Sequence, residues 1–186
     1  MQATMQIAQG NMAGIIAGTE RPLALEQVFA DHRELVFRAA YRITGNASDA
    51  EDVLQVVFLR LLRQEQTPEI TYLRAYLHRA AVNAALDLLR LRKDAQSVSL
   101  EEEAGSVEVT AAGGQEASEL RDWLRQALAR INPRWAEMFV LRFVEGYSNS
   151  EIARMMDTSA GVVAVLLHRT RALLKKDYIA VTQGRR

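Results

Sequence analysis

The sequence predicts an all-α fold of two small helical domains joined by a flexible acidic linker. Three observations carry this. Apolar residues recur at three- and four-residue intervals through most of residues 20–93 and 119–186, the spacing that builds one apolar helix face. Between them, residues 94–120 hold seven Asp and Glu and no Lys or Arg, with Gly105, Gly113, Gly114 and many Ser, Ala and Thr, a composition with little to bury. The one alternating run, Ser106 to Thr110, is short and falls inside that acidic block. About 25 structureless residues are unusual within a compact fold, so residues 94–118 are expected to be a linker between two units. Residues 1–19, with glycines and no helical stripe, read as a disordered tail.

Three helices account for residues 20–93. The first carries Leu25, Val28, Phe29, His32, Leu35, Val36, Ala39, Ala40 and Ile43 on one face, and Gly45-Asn46 turns the chain. Ser48 followed by Glu51 is a capping-box pattern opening a second stripe of Ala50, Val53, Leu54, Val57, Leu61 and Leu62. Thr67-Pro68 reads as a cap with proline at the first helical position, starting a third stripe of Leu73, Leu77, Ala80, Ala84, Leu88 and Leu91.

Beyond the linker, Leu120, Trp123, Leu124, Ala127, Leu128 and Ile131 form a further stripe, and Asn132-Pro133 caps a helix with Ala136, Phe139, Val140 and Phe143 inward. Gly146 stops it. Ser148 and Glu151 make a second capping box before a short helix to Met156, and Asp157-Thr158-Ser159 supplies a turn and a new N-cap before a long helix. A short helix, a three-residue turn and a longer helix bearing His168, Arg169, Arg171, Lys175 and Lys176 form a helix-turn-helix pattern. The formal net charge of zero conceals segregation: +1 over residues 20–93, −7 over 94–120 and +6 over 121–186. The basic terminal unit favours nucleic acid as its partner.

Composition narrows the chemistry. Among 186 residues there is no cysteine, which excludes disulfides, thiolate zinc sites and a cysteine nucleophile. His32, His78 and His168 are scattered and lie outside any HExxH pattern, so neither a metal nor another cofactor is expected. No apolar stretch reaches the roughly 20 residues of a membrane helix, and Met1 to Gly18 lacks the features of a secretory signal, so a cytoplasmic protein with no membrane insertion is expected. Asp49, Glu51 and Asp52 would suit a carboxylate-based hydrolase only with a base, metal set or phosphate loop beside them. At a helix start they complement the dipole instead.

Three segments resemble the extracytoplasmic-function (ECF) class of bacterial RNA polymerase sigma factors: TGNASDAEDVLQVVFLRLL at 44–62, YLHRAAVNAALDLLRLRK at 76–93 and INPRWAEMFVLRFVEGYSNSEIARMMDTSAGVVAVLLHRTRALL at 131–174. The resemblance implies a non-enzymatic initiation factor whose partners are core RNA polymerase and promoter DNA. Sigma domain 2 would span residues 20–93 and sigma domain 4 residues 119–186. Polymerase binding would fall to Asp49, Glu51, Asp52, Gln55 and Phe58 on the second helix, where Glu51, Gln55 and Phe58 share a face. Minus-ten recognition and melting would fall to Tyr72, Tyr76, Arg79 and Asn83, with Arg90, Arg92 and Lys93 on the nearby backbone. Rings, a cation and an amide at spacings of four, three and four line one face, and such a row can stack unpaired bases, neutralise phosphate and bond a base edge. Asp87 is better suited to orienting Arg90 or Arg79 than to touching DNA. Tyr76 stands where the family usually has tryptophan.

The helix-turn-helix would meet the minus-thirty-five element through Ser148, Asn149, Ser159, Val162, Ala164, Val165, His168, Arg169, Arg171 and Lys175. Here the chain departs from the family, because Val162 to Leu167 reads V-V-A-V-L-L where polar residues are general. Six apolar residues cover more than one turn, so some point away from the domain's own core. Either Val162, Ala164 or Val165 packs on thymine methyls while cations clamp phosphates, or the surface is masked by an anti-sigma factor or by the first domain. The other reading of the chain is a stand-alone helix-turn-helix regulator with an N-terminal sensor or dimerisation domain.

Overall fold

The computed structural model describes residues 25–63, 70–98 and 115–183, apart from the side chains of 70–72 and 96–98. All regular elements among them are helices. Helix α1 covers residues 25–44 and ends at Gly45, whose φ of +71° is the left-handed geometry glycine adopts without strain; its N–H donates to Tyr41 O at 2.8 Å. α2 is Ala47–Arg63. Its N-cap is Asn46, whose Oδ1 accepts from Asp49 N at 3.1 Å, and Ser48 sits inside the first turn. The capping box expected from Ser48 and Glu51 is therefore displaced, because Gly45 reverses the chain early and delivers Asn46 to the helix start.

α3, Ile70–Val98, is 29 residues long, about 43 Å. α4 is Gln115–Arg130. α5, Pro133–Phe143, has the expected Asn132 cap, whose side chain accepts from Arg134 N. α6, Asn149–Met155, has the complete Ser148–Glu151 capping box. α7, Ala160–Gln183, follows a turn in which Asp157 takes φ 48° and Ser159 Oγ accepts from Val162 N at 3.2 Å. Both ends of the expected linker are thus helical, in α3 and α4. Residues 99–114, the tail and Thr67-Pro68 lie outside the described residues.

The sequence pattern leads one to expect two separate cores. Instead, α3 packs against α2 and also against α4, α5 and α6. The long stripe expected on α3 is consequently too narrow: Leu73, Leu77, Ala81, Val82, Ala84, Ala85 and Leu86 are all buried, whereas Leu91, at its far end, is exposed. Alanines at 80, 81, 84 and 85 keep the helix thin where neighbours approach. A single apolar cluster runs from Val36 on α1 through α3 to Met138 and Leu141 on α5, Ile152 on α6 and Leu167 on α7. Each fully buried leucine in it, such as Leu77, contributes about 2 kcal/mol of transfer free energy.

Candidate nucleic-acid interface

Three surfaces correspond to the predicted sites. On α2, Glu51, Asp52 and Gln55 are exposed together. Phe58 is not with them: it is 6% exposed and meets Phe29 of α1 edge to face, ring centroids 4.8 Å apart. Position 58 lies at the border of the helix's two faces, and a ring at a border turns inward when a neighbouring helix offers another ring. Its place outside is taken by Leu59, 49% exposed, and Leu62, 51% exposed, the latter expected in the core. Asp49 is also buried, 2% exposed, where its Oδ1 accepts from Arg92 Nη2. Burial raises the Asp49 carboxyl above its ordinary pKa, the charge of Arg92 opposing this and that of Asp52 adding to it.

On α3, the backbone of Tyr72 is helical, and its side chain lies outside the described residues. Tyr76 is half-buried against the core. Arg79 and Asn83 do lie side by side, and both are held by the second unit. Glu137 Oε1 of α5 accepts from Arg79 Nε at 2.5 Å and from Asn83 Nδ2 at 3.0 Å, and Arg79 Nη1 donates to Met155 O at 2.7 Å. Arg90 is paired with Asp87 at 2.8 Å, as its spacing implies. Arg92, expected on the DNA backbone, is spent on Asp49, while Lys93 is exposed.

On α7, Val163, Leu167, Thr170 and Leu174, at spacings of four, three and four, form the buried face. Val162 and Val165 are 45% and 51% exposed, and Ala164, His168, Arg169 and Lys175 are exposed beside them. Arg171 leans over Phe143, its guanidinium carbon 5.7 Å from the ring centroid. Ser148 and Ser159 are committed to capping, and Asn149 is half-buried. The Ser148 hydroxyl and N–H bonds hold the Glu151 carboxyl below its usual range.

Four polar residues of the contact between the units escaped sequence reasoning: His78, Glu137, Glu145 and Tyr147. His78 is buried in α3, 2.6 Å from the Tyr147 hydroxyl and 2.7 Å from Glu145 Oε2. A carboxylate only accepts, so His78 Nε2 donates to Glu145 Oε2. Burial, with the Glu145 charge adding, pushes the Tyr147 phenol up. Arg42 Nη1 donates to the same Glu145 oxygen at 2.6 Å, and Arg125 Nε to Ile43 O at 3.1 Å. The one available signal was Glu137 itself, a carboxylate inside the apolar run from Trp135 to Leu141.

A short α6, a tight turn and a longer α7 with an exposed basic and partly apolar face make the second unit a helix-turn-helix module of the class that binds nucleic acid. Residues 28–95 match sigma-70 region 2, and residues 121–174 match sigma-70 region 4. The ECF RNA polymerase sigma factor SigE of Mycolicibacterium smegmatis is 32% identical over 158 residues, 83% of this chain and 61% of that protein's length. RNA polymerase sigma factor CarQ of Myxococcus xanthus is 33% identical over 147 residues, 78% of this chain and 84% of CarQ. The chain belongs to the ECF sigma factor family, whose members bind core RNA polymerase and direct it to promoters. In fold it is similar to the sigma factor RpoE solved with the anti-sigma factor NepR from Bartonella quintana (TM-score 0.52, 19% identity, 81% of this chain and 94% of that one). It is likewise similar to CnrH solved with the cytosolic domain of CnrY (TM-score 0.51, 23% identity, 86% and 90%). Among the described residues, no helix is long and apolar enough to cross a membrane.

Proposed function

We propose that this sigma factor docks on core polymerase through the exposed face of α2, formed by Glu51, Asp52 and Gln55 together with Leu59 and Leu62. Asp49 and Phe58 support that face from inside. The arrangement that supports the assignment is a patch of exposed Val56, Leu59 and Leu62 at the C-terminal half of a helix whose first turns expose Glu51 and Asp52, since contiguous apolar area on a surface marks an interaction site. Arg79 and Asn83, with Tyr72 and Tyr76, take the opened minus-ten strand, and Lys93 follows its backbone, joined by Arg90 and Arg92 when they exchange Asp87 and Asp49 for phosphate. On α7, Val162, Ala164 and Val165 pack against thymine methyls of the minus-thirty-five element while His168, Arg169, Arg171 and Lys175 hold phosphates. Ser148, Asn149 and Ser159 shape the turn that presents α7.

Like its family, the chain acts as a non-enzymatic factor that supplies promoter choice in the cytoplasm, where core polymerase works. The sigma factor RpoE, similar in fold, was solved in complex with an anti-sigma factor, and the Val162–Val165 row is the surface an inhibitor of that kind would cover here. A stand-alone regulator is not favoured, because both sigma-70 regions are present in order.

Transcription in vitro with core polymerase on a promoter library tests the reading. Wild-type protein should start RNA chains from a defined promoter subset, and Arg79→Ala should abolish initiation while leaving co-elution with polymerase intact. Failure of the wild type to co-elute with core enzyme overturns it.

A further inference from the structure

Helix α7 opens with Ala160, Gly161, Val162, Val163, Ala164 and Val165. Val163 is buried, and the other five are exposed without a polar side-chain atom among them. In a helix-turn-helix the first turns of the second helix meet the base edges. The hydroxyls beside those turns are committed to the fold: Ser148 Oγ donates to Glu151 Oε2 at 2.6 Å, and Ser159 Oγ accepts from Val162 N at 3.2 Å. The first polar side chain along α7 is that of His168, with Arg169 beside it.

Base pairs answer such a face in a particular way. Toward the major groove a T·A pair and a C·G pair each turn two acceptors and one donor. A face of methyl groups satisfies none of the three in either pair, so the polar edges cost it the same. What still differs is the C5-methyl of thymine, the one apolar group on a major-groove base edge. A methyl on C5 of cytosine sits at the same place on the pyrimidine ring.

We propose that α7 reads pyrimidine C5-methyl groups rather than whole base pairs, so that 5-methylcytosine paired with guanine is accepted in the minus-thirty-five element where thymine paired with adenine is. This rests on the assignment of Val162, Ala164 and Val165 to thymine methyls and adds a second ligand of the same chemistry, C5-methylated cytosine in duplex DNA. Promoter choice then depends on cytosine methylation as well as on sequence. The rest of α7 fits this duty. Arg169 and Lys175 are exposed and hold phosphates whatever the base, so the methyl contact need only tip a grip that charge supplies. Val162 and Val165 lie three residues apart on one side of the helix, and their β-branched side chains have one preferred rotamer there, which gives the contact a fixed shape.

Equilibrium binding of the full chain with core polymerase to labelled promoter duplexes, at one fixed salt concentration, tests the proposal. The thymines of the minus-thirty-five element are replaced one at a time by deoxyuridine, by cytosine or by 5-methylcytosine, the last two opposite guanine. Burying one methyl-sized group changes an equilibrium about fourfold. At the position under α7, deoxyuridine, which lacks only the methyl, should therefore weaken binding about fourfold, and cytosine to a similar extent. There 5-methylcytosine should restore the thymine value to within about twofold. In the double variant Val162→Ala with Val165→Ala, both at exposed positions, the four duplexes should bind alike, which an effect of methylation on DNA shape would not allow. A 5-methylcytosine duplex no better than its cytosine counterpart, with the deoxyuridine penalty intact, overturns the proposal and leaves the thymine reading standing. Deoxyuridine bound as well as thymine at every position overturns the thymine reading, and the proposal with it. A methyl effect that survives in the double variant takes the contact away from α7 and overturns the proposal as well.

Discussion

Phe58 and Leu59 are neighbours with opposite duties. Phe58, wedged on Phe29, belongs to the core, so Phe58→Ala should cost about 3–5 kcal/mol of stability, measured by denaturant unfolding. Leu59 is half-exposed, so Leu59→Asp should leave unfolding nearly unchanged while weakening co-elution with core polymerase at least tenfold. Asp49 calls for a pH experiment. Its folded-state pKa is raised above 3.8, chiefly by burial, so the unfolded chain releases this proton more readily than the folded one. The stability attached to the protonated form is complete below the unfolded value and is lost as pH rises through the folded one. At neutral pH the buried charge is therefore a net cost despite Arg92. Asp49→Asn should melt at or above the parent near pH 7, with the gap closing toward pH 4. A variant less stable at pH 7 and equal at pH 4 would mean that the attraction of Arg92 outweighs burial.

At the scale of elements, the local signals read well wherever a single candidate existed. Asn132-Pro133 and Ser148 with Glu151 cap α5 and α6 where the sequence places them, because capping is decided within four residues. α2 offered two caps two residues apart, and only the left-handed end of α1 chose Asn46. The V-V-A-V-L-L run was legible as partly outward, and α7 indeed divides it, with Val163 and Leu167 buried and Val162 and Val165 exposed. The cations beyond that run are not equivalent. Arg169 and Lys175 are exposed with no ring partner, whereas Arg171 rests over Phe143. Arg169→Ala and Lys175→Ala should each reduce the slope of log affinity against log salt by about 1 for the polymerase–promoter complex, with the promoter preference unchanged. Arg171→Ala should reduce it less. Equal effects from all three would mean that Arg171 leaves Phe143 on binding DNA.

The arrangement of the whole molecule was the least legible level. Periodicity reports that a helix has an apolar face but not that two faces of α3 are to be covered, and it cannot pair His78 with Glu145 across 67 residues. The acidic linker and the charge segregation correctly suggest two modules, but a linker allows separation and docking alike. Docking merges the cores: the apolar cluster passes from Val36 to Leu167 without a break, and Arg125 of α4 reaches across to the last turn of α1 at Ile43. Two units that share a core cannot unfold independently. The polymerase-free chain should therefore melt in one calorimetric transition whose van 't Hoff and calorimetric enthalpies agree. Glu137→Arg, by setting repulsion at the centre of the contact, should split the transition into two or push the enthalpy ratio away from unity. Two transitions in the parent would mean that the units are thermodynamically separate, and that the continuous core between α3 and α5 contributes nothing to holding them together.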